Sequence, residues 1–452
     1  MLKVDSRWDI ALYLVYSVCI AYLLHFSRQG SWTGYILPWM GSFLAFFLIL
    51  QRKNNCDYPQ LFIGLIGLIK ITSLISIPML SNDFYRFWWD GWLSSHGINP
   101  FDYTPSQALS NLPDATWKEP MKHYFPLLNS PDYHTVYPIL SQVLFAICAK
   151  LSDDNLWIFS LIMKGFYLIG DIVCFKCLNS LLKDKKLSPG YGLLYFGNPL
   201  IIVEFFGNLH TEFFMICFFI WALRYYNKPP EIASFGYMVF SILSKLNSLL
   251  WLPFFVHFKQ ATQKWVYFSC ALLLTLALMY LPAIHQPEGF LSSLRLYFEQ
   301  FEFNSLIYVY LRDFLFHSKC YEWQQRLGWI LLLVFLIFYL KFWVPVTFRK
   351  SGTDTFPFAS SWWIYVIYIG LSSTVHPWYI SPLILLGIFY NPWSSMILSM
   401  MISFSYSYYD PIFQPYSKYY MLIAYMICLV CVVIENWKLV QLPPIIQSSH
   451  SN

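Results

Sequence analysis

Charge is what this chain has least of. Only 12% of its 452 residues are Asp, Glu, Lys or Arg, against roughly 25% in an average soluble domain. So little charge cannot cover a globule of this size in water without leaving large apolar patches, which excludes an ordinary cytosolic enzyme and makes lipid the missing solvent. The formal charge is a modest +5, and the basic residues fall in short clusters between apolar runs. A multi-pass protein marks its cytoplasmic loops in this way, and nothing here points to nucleic acid as a partner. P-loop and dinucleotide-type glycine motifs are missing, as are any internal repeat and any soluble domain of useful size. No lipidation or retrieval signal stands in the closing Ser-Ser-His-Ser-Asn.

The ten cysteines carry little chemistry either. Cys19, Cys148, Cys174, Cys177, Cys217, Cys270, Cys428 and Cys431 lie inside apolar runs, and only Cys56 and Cys320 sit in loops. The spacings Cys174/Cys177 and Cys428/Cys431 lack a second pair or a nearby His, so they are expected to pack rather than to bind metal. Residues 9–26 are apolar with no small-residue cleavage site before Arg28, which predicts a retained helix.

What is present is a series of runs near the ~17 to 25 residues that a bilayer core demands. They fall at 10–26, 34–50, 61–80, 156–182, 191–206, 212–226, 266–284, 329–346, 358–373, 378–390, 394–409 and 419–434. The expected fold class is therefore an all-α polytopic membrane protein, one integral membrane domain over 1–452 with about 12 transmembrane helices. Two apolar segments fit badly as simple spans. Residues 136–151 are read as a membrane-dipping helix, because counting them as a crossing would put Lys183, Lys185 and Lys186 outside. Residues 232–258 are interrupted at Ser244-Lys245-Leu246-Asn247 and flanked by Arg224, Lys228, Lys259 and Lys264. Both flanks want the cytoplasm, so this segment is expected to enter and return as a broken hairpin with Lys245 near its tip. Lys3, Arg7, Arg52, Lys53, the Lys183 cluster, Lys341, Arg349 and Lys350 then all lie inside, as do both termini, and the long loops 81–135 and 285–326 lie outside.

The first of these loops opens Ser81-Asn82-Asp83-Phe84-Tyr85-Arg86-Phe87-Trp88-Trp89-Asp90-Gly91-Trp92. A carboxylate at the end of a span, among aromatics, is partly desolvated and can be tuned as a base. The plainer alternative is an Asp83–Arg86 ion pair on an interfacial helix. On the same side stand Glu204-Phe205-Phe206-Gly207-Asn208-Leu209-His210-Thr211-Glu212, then Gln300, Asn304 and Arg312, and Thr374-Val375-His376-Pro377-Trp378-Tyr379. Lys245, inside a strongly apolar segment, must snorkel or find an anion. An acid, a lysine, two histidines and arginines from distant segments thus map to one face. A base opposite a cationic clamp suits transfer from a phosphorylated, lipid-linked donor.

At these residues the sequence resembles the bacterial polyprenol-phosphate-dependent mannosyltransferases of the GT-C glycosyltransferase superfamily and, more distantly, the eukaryotic GPI mannosyltransferase. The family's first external loop reads S-D-D-x-Y-R-Y-x-W-D-G and continues to G-I-N-P-Y. Here the matching residues are Ser81 to Gly91 and then Gly97-Ile98-Asn99-Pro100-Phe101. Further family-like stretches follow in order: Thr135-Val136-Tyr137-Pro138, Asn198-Pro199 with Glu204 and Gly207-Asn208-Leu209-His210, then Lys245, Phe303-Asn304-Ser305 and Thr374 to Tyr379. Asn82 departs from the pattern by replacing the first acid of the pair, which leaves the base role to Asp83 alone and argues against a two-carboxylate metal site there. Glu212 stands near where the family usually has an Asp. Three spans precede the acidic loop, where the general GT-C plan has one.

The resemblance implies a GT-C-like bundle that transfers a hexose, mannose by family likeness, with inversion. The donor would be a polyprenyl-phosphate sugar and the acceptor a hydroxyl of a glycan or lipid-linked molecule, with the site on the extracytoplasmic face of a bacterial inner membrane. Asp83 would be the catalytic base. Arg86, Asp90, Trp89, Glu204, His210, Lys245, Asn304, His376 and Trp378 would bind substrate. Among these, Lys245, His376, Arg86 and His210 would neutralise the phosphate, and the rings of Trp88, Trp89 and Trp378 would face the sugar. No cofactor is required, and a divalent metal is optional. The rival classes are a flippase or transporter of lipid-linked sugars, which would show repeated halves and midplane charges, and a glycan polymerase or ligase, which would carry its main loop late in the chain.

Overall fold

The computed structural model describes residues 7–51, 60–256, 262–299, 301–348 and 355–437. Lys3, Arg52, Lys53, Cys56, Lys259, Gln300, Arg349 and Lys350 lie outside the described residues. Among those described, the secondary structure is helical, with one isolated parallel bridge between Phe303 and Thr374. Six helices are long and apolar enough to cross a membrane: Arg7–His25, Trp32–Gln51, Leu156–Asp184, Thr262–Ala283, Tyr321–Thr347 and Gln414–Trp437. Shorter apolar helices lie at Gln60–Ile75, Ile139–Ser152, Glu231–Ser244, Leu246–Phe255, Phe358–Leu371 and Pro377–Gly387. Leu273, Leu333 and Ile337 stand exposed on two of the long helices, a surface that hydrocarbon solvates and water does not. The chain is an all-α polytopic membrane protein.

The breaks between helices follow local chemistry. The Asn155 side chain accepts from the backbone of Trp157 and Ile158 and so starts the 29-residue helix Leu156–Asp184. The expected single span over 191–206 is instead a chain of short turns. Asn198 caps Leu200, Pro199 opens a new turn, and a π-helix at Ile202–Gly207 carries the chain to Asn208. A proline removes one backbone donor and a π turn shifts the next by a residue, and together they free polar groups deep in the protein. The runs over 378–390 and 394–409 likewise divide into α and 3-10 pieces.

The broken hairpin is present. The helix Glu231–Ser244 stops at Lys245, whose backbone is extended at φ −159° and ψ 133°. The 3-10 segment Leu246–Phe255 then runs back until Phe255 packs on Tyr226 and Phe235, with ring centroids 5.4 and 6.2 Å apart. Ser141 Oγ donates to the carbonyl of Ser244 at 2.8 Å, which ties the tip to the start of the helix Ile139–Ser152. That helix has 14 residues and rises about 21 Å, short of the ~30 Å hydrocarbon core.

The loop 81–135 begins with the helix Asp83–Ser95, which lies against Ile139–Ser152. Gly91 makes the approach possible, since a Cβ there would sit 2.3 Å from the carbonyl oxygen of Phe145. Behind it, Lys164 donates to the carbonyls of Ser73 and Ser76 at 2.8 and 2.6 Å, and Lys70 pairs with Asp171 at 2.7 Å. Buried cations are thus satisfied within the bundle, at the point where the chain turns toward Ser81. One aromatic-rich core joins these elements, from Tyr13 to Tyr406.

Candidate functional site

Asp83 sits in the first turn of its helix, where the N-terminal partial positive charge favours a carboxylate. Its side chain is 23% exposed. Asn129 Nδ2 donates to Oδ1 at 2.9 Å, and the Tyr137 hydroxyl is a second donor. Burial pushes the Asp83 pKa above the ordinary carboxylate range, and the Asn129 bond and the Lys245 charge pull against that shift.

The segment 204–212 forms the adjacent wall. Asn208 Oδ1 accepts from the backbone of Leu80 at 3.2 Å and so holds the entry to the Asp83 helix against this segment. His210 Nδ1 lies 4.0 Å from Asp83 Oδ2, and its Nε2 lies 3.4 Å from Glu204 Oε2. Glu204 is fully buried, and its Oε1 accepts from the Tyr406 hydroxyl at 2.9 Å. Burial keeps His210 neutral, and Lys245 and His376 add to the effect.

Lys245, at the hairpin tip, places Nζ 3.0 Å from Glu212 Oε1 and stays 20% exposed. It faces the rings of Tyr137 and Tyr379 at 5.1 and 5.9 Å. An ammonium beside buried Glu212 has its charge balanced in place.

The two late motifs meet through the bridge. Phe303 N donates to the Ser373 carbonyl at 3.1 Å and Val375 N to the Phe303 carbonyl at 2.8 Å, while Asn304 Nδ2 holds the Val375 carbonyl at 3.1 Å. The result is a run of stacked rings. Trp378 stacks on His210 at 3.4 Å and on His376 at 4.4 Å, and His376 stacks on Phe303 at 4.7 Å. Burial lowers the His376 pKa to about 3, so its ring is uncharged at neutral pH.

The structure therefore brings together Asp83, Glu204, His210, Lys245, Asn304, His376 and Trp378, and turns three expected residues elsewhere. Arg86 Nε binds Asp90 Oδ1 at 2.8 Å, and its Nη1 donates to the carbonyls of Ser130 and Tyr133 at 3.0 and 2.9 Å. Asp90 Oδ2 accepts from Gln142 at 3.0 Å. The expected clamp role of Arg86 and the plainer Asp83–Arg86 pair both give way to this i,i+4 pair, which straps the loop to its helix. Trp88 and Trp89 are buried against Trp92, Tyr124 and Phe125, with no face open to a sugar. Trp378, 5% exposed, is already stacked on two imidazoles. Of the four expected cations, Lys245, His376, Arg86 and His210, Arg86 is bound by Asp90 and burial disfavours the charged form of both imidazoles. Arg312 pairs with Glu302 and Asp313.

Asn129 and Tyr406 were not legible as site residues. One is a loop amide and the other a tyrosine in an aromatic run, and neither carries a local signal. Among the described residues no three His, Cys, Asp or Glu side chains gather as a metal site.

Residues 26–261 match the family model described as alpha-(1->6)-mannopyranosyltransferase, N-terminal domain. The match spans more than half of the chain. The chain belongs to this family. It is a mannosyltransferase of the membrane, and the GT-C resemblance of the 81–101 motif is borne out at family level. The matched region contains Asp83, Glu204, His210, Glu212 and Lys245, while Asn304, His376 and Trp378 follow it. Neither the curated proteins nor the solved structures yield a match to the chain.

Proposed function

We propose that this mannosyltransferase takes mannose from a polyprenyl-phosphate donor and transfers it, with inversion, to a hydroxyl of a glycan or lipid-linked acceptor on the extracytoplasmic face of a bacterial inner membrane. The family description favours an α-1,6 linkage. The observation that carries this reading is that a partly exposed carboxylate and a partly exposed ammonium, Asp83 and Lys245, lie within electrostatic reach of one another. Asp83 accepts the proton as the acceptor oxygen attacks the anomeric carbon, and Lys245 receives the charge of the departing lipid phosphate. Asn129 and Tyr137 hold the carboxylate ionised and oriented. Asn304 keeps the 374–379 turn in register, and the stacked imidazoles and Trp378 make a stiff, uncharged wall that excludes water. A lipid-linked donor enters sideways between helices, which suits polar groups delivered where helices break.

The test is transfer by protein reconstituted in lipid with labelled polyprenyl-phosphate mannose, glucose and arabinose, with products read by mass spectrometry. Mannose is the expected donor sugar. Asp83→Asn removes the base at constant volume and should lower turnover by ~10² to 10⁴ while donor binding persists. Wild-type turnover in that variant sinks the assignment.

A further inference from the structure

Glu204 has no part in the proton transfer just proposed, yet it is fully enclosed beside it and, unlike the equally buried Glu212, has no ammonium against it. Its carboxyl is 0% exposed, and its partners are the Tyr406 hydroxyl on Oε1, with Asn208 Nδ2 at 3.3 Å and His210 Nε2 at 3.4 Å from Oε2. No lysine or arginine is among them. The nearby ammonium, Lys245, is committed to Glu212. An ionised carboxylate buried without a cation carries a large desolvation cost that two neutral donors do not offset.

His210 limits the choices further. Its ring is fully buried and stacked on Trp378 at 14° between planes, so its two nitrogens are held toward Glu204 and Asp83. Were Glu204 ionised, Nε2 would need the proton. A neutral ring would then turn the Nδ1 lone pair onto the Asp83 carboxylate. Protonating both nitrogens instead would bury a second cation beside Lys245. Were Glu204 protonated, its Oε2–H would donate to Nε2 and leave Nδ1–H facing Asp83 Oδ2. Nε2 has no other hydrogen-bond partner, and only this second arrangement gives Nε2 a donor at 3.4 Å and turns an N–H rather than a lone pair toward the Asp83 carboxylate 4.0 Å away.

We propose that Glu204 is a protonated carboxyl that fixes His210 as its Nδ1–H tautomer, so that the imidazole donates toward Asp83 and keeps that carboxylate ionised and aimed. Glu204 and His210 are then positioning residues, and the inference rests on the reading of Asp83 as the base. The titratable groups facing Glu204 and His210 from the surrounding elements are Asp83, Lys245, Glu212, His376, Tyr35, Tyr406 and Tyr409. No proton crosses the chain during turnover. The acceptor's proton ends on Asp83, and the protonation of Glu204 and His210 behind it does not change.

Two readouts test this in the full-length protein in nanodiscs. In ¹⁵N-histidine spectra, the resonances lost in His210→Asn should show a neutral ring protonated at Nδ1. A neutral Nε2–H ring or an imidazolium overturns the proposal. In pH–rate profiles, Glu204→Leu removes the donor to Nε2, so kcat should fall ~10- to 100-fold with KM little changed, and the acid limb should move up by about one unit. Glu204→Gln offers an amide N–H to His210 and an amide oxygen to Tyr406 and loses only the long 3.3 Å bond from Asn208, so it should recover all but a few-fold of that loss and return the limb. A Gln variant as impaired as the Leu variant means that the carboxylate itself is needed, which overturns the proposal. If Glu204→Leu fails to fold, the Gln profile and the spectra still decide. Turnover in Asp83→Asn would refute the base assignment, and the His210 tautomer would then judge the inference separately.

Discussion

Lys245 shows how a single side chain can hold two obligations. Glu212 is fully buried and takes its neutralising charge from Lys245, while a fifth of the lysine side chain remains exposed and its charge is felt at Asp83. Lys245→Met should therefore have two effects. Donor affinity, titrated with a non-hydrolysable polyprenyl-phosphate sugar, should weaken by ~1.5 to 3 kcal/mol, the scale of a charge-assisted hydrogen bond. The melting temperature should also fall, because Glu212 is left as an uncompensated buried charge. Adding Glu212→Gln to Lys245→Met should restore the melting temperature without restoring affinity. Recovery of both would make the lysine purely a scaffold residue. Asp83 gives a second expectation at this scale. Its base function needs the ionised form, and burial raises its pKa, so activity should fall on the acid side at a pH above the ordinary aspartate value of about 4. An acid limb at or below that value would contradict the shift.

At the scale of elements, the site depends on breaks. The stop at Lys245, the π turn before Asn208 and the proline turn after His376 each deliver a polar side chain where a continuous helix would carry it past. The Lys245 break was legible because a lysine and an asparagine interrupt an apolar run whose two flanks are both basic. The π turn was not, since residues 191–206 read as one apolar stretch and only Asn198-Pro199 hinted otherwise. The pairing of Arg86 with Asp90 was open to view in the spacing of four on a helix, yet Asp83 at a spacing of three competed for the same arginine. Gly91 allows a sharp test of how the loop helix positions its base. Gly91→Ala drives a methyl into the Phe145 carbonyl, which should cost about 1 to 3 kcal/mol of stability. It should also lower kcat through displacement of Asp83 on the same helix. A variant with wild-type melting and rate would mean that the two helices part without consequence.

Across the whole molecule, the proposed topology puts the loops 81–135 and 285–326 outside and the basic cluster at 183–186 inside. Cysteines introduced at the exposed positions Asn111 and Ser318 should react with an impermeant thiol reagent from outside, and one at Lys183 should not. The background must lack the native exposed and part-exposed cysteines, which include Cys19, Cys270, Cys320 and Cys431. Labelling of Lys183→Cys from outside would make the 14-residue helix Ile139–Ser152 a true crossing and invert everything after it.

Composition alone decided the solvent, because the transfer cost of apolar and charged side chains is close to a sum over residues and needs no coordinates. The family likeness was also local, carried by Ser81 to Phe101 and a few ordered stretches behind it. Partnership was a tertiary matter. Asp83 meets an amide 46 residues away, and Glu204 meets a hydroxyl 202 residues away. Burial makes such contacts nearly obligatory for any polar group, but which partner satisfies it depends on how the helices pack. For the same reason the sequence could name Arg86, His210 and His376 as candidate cations, whereas only the fold decided that the arginine is bound by Asp90 and that both rings are neutral.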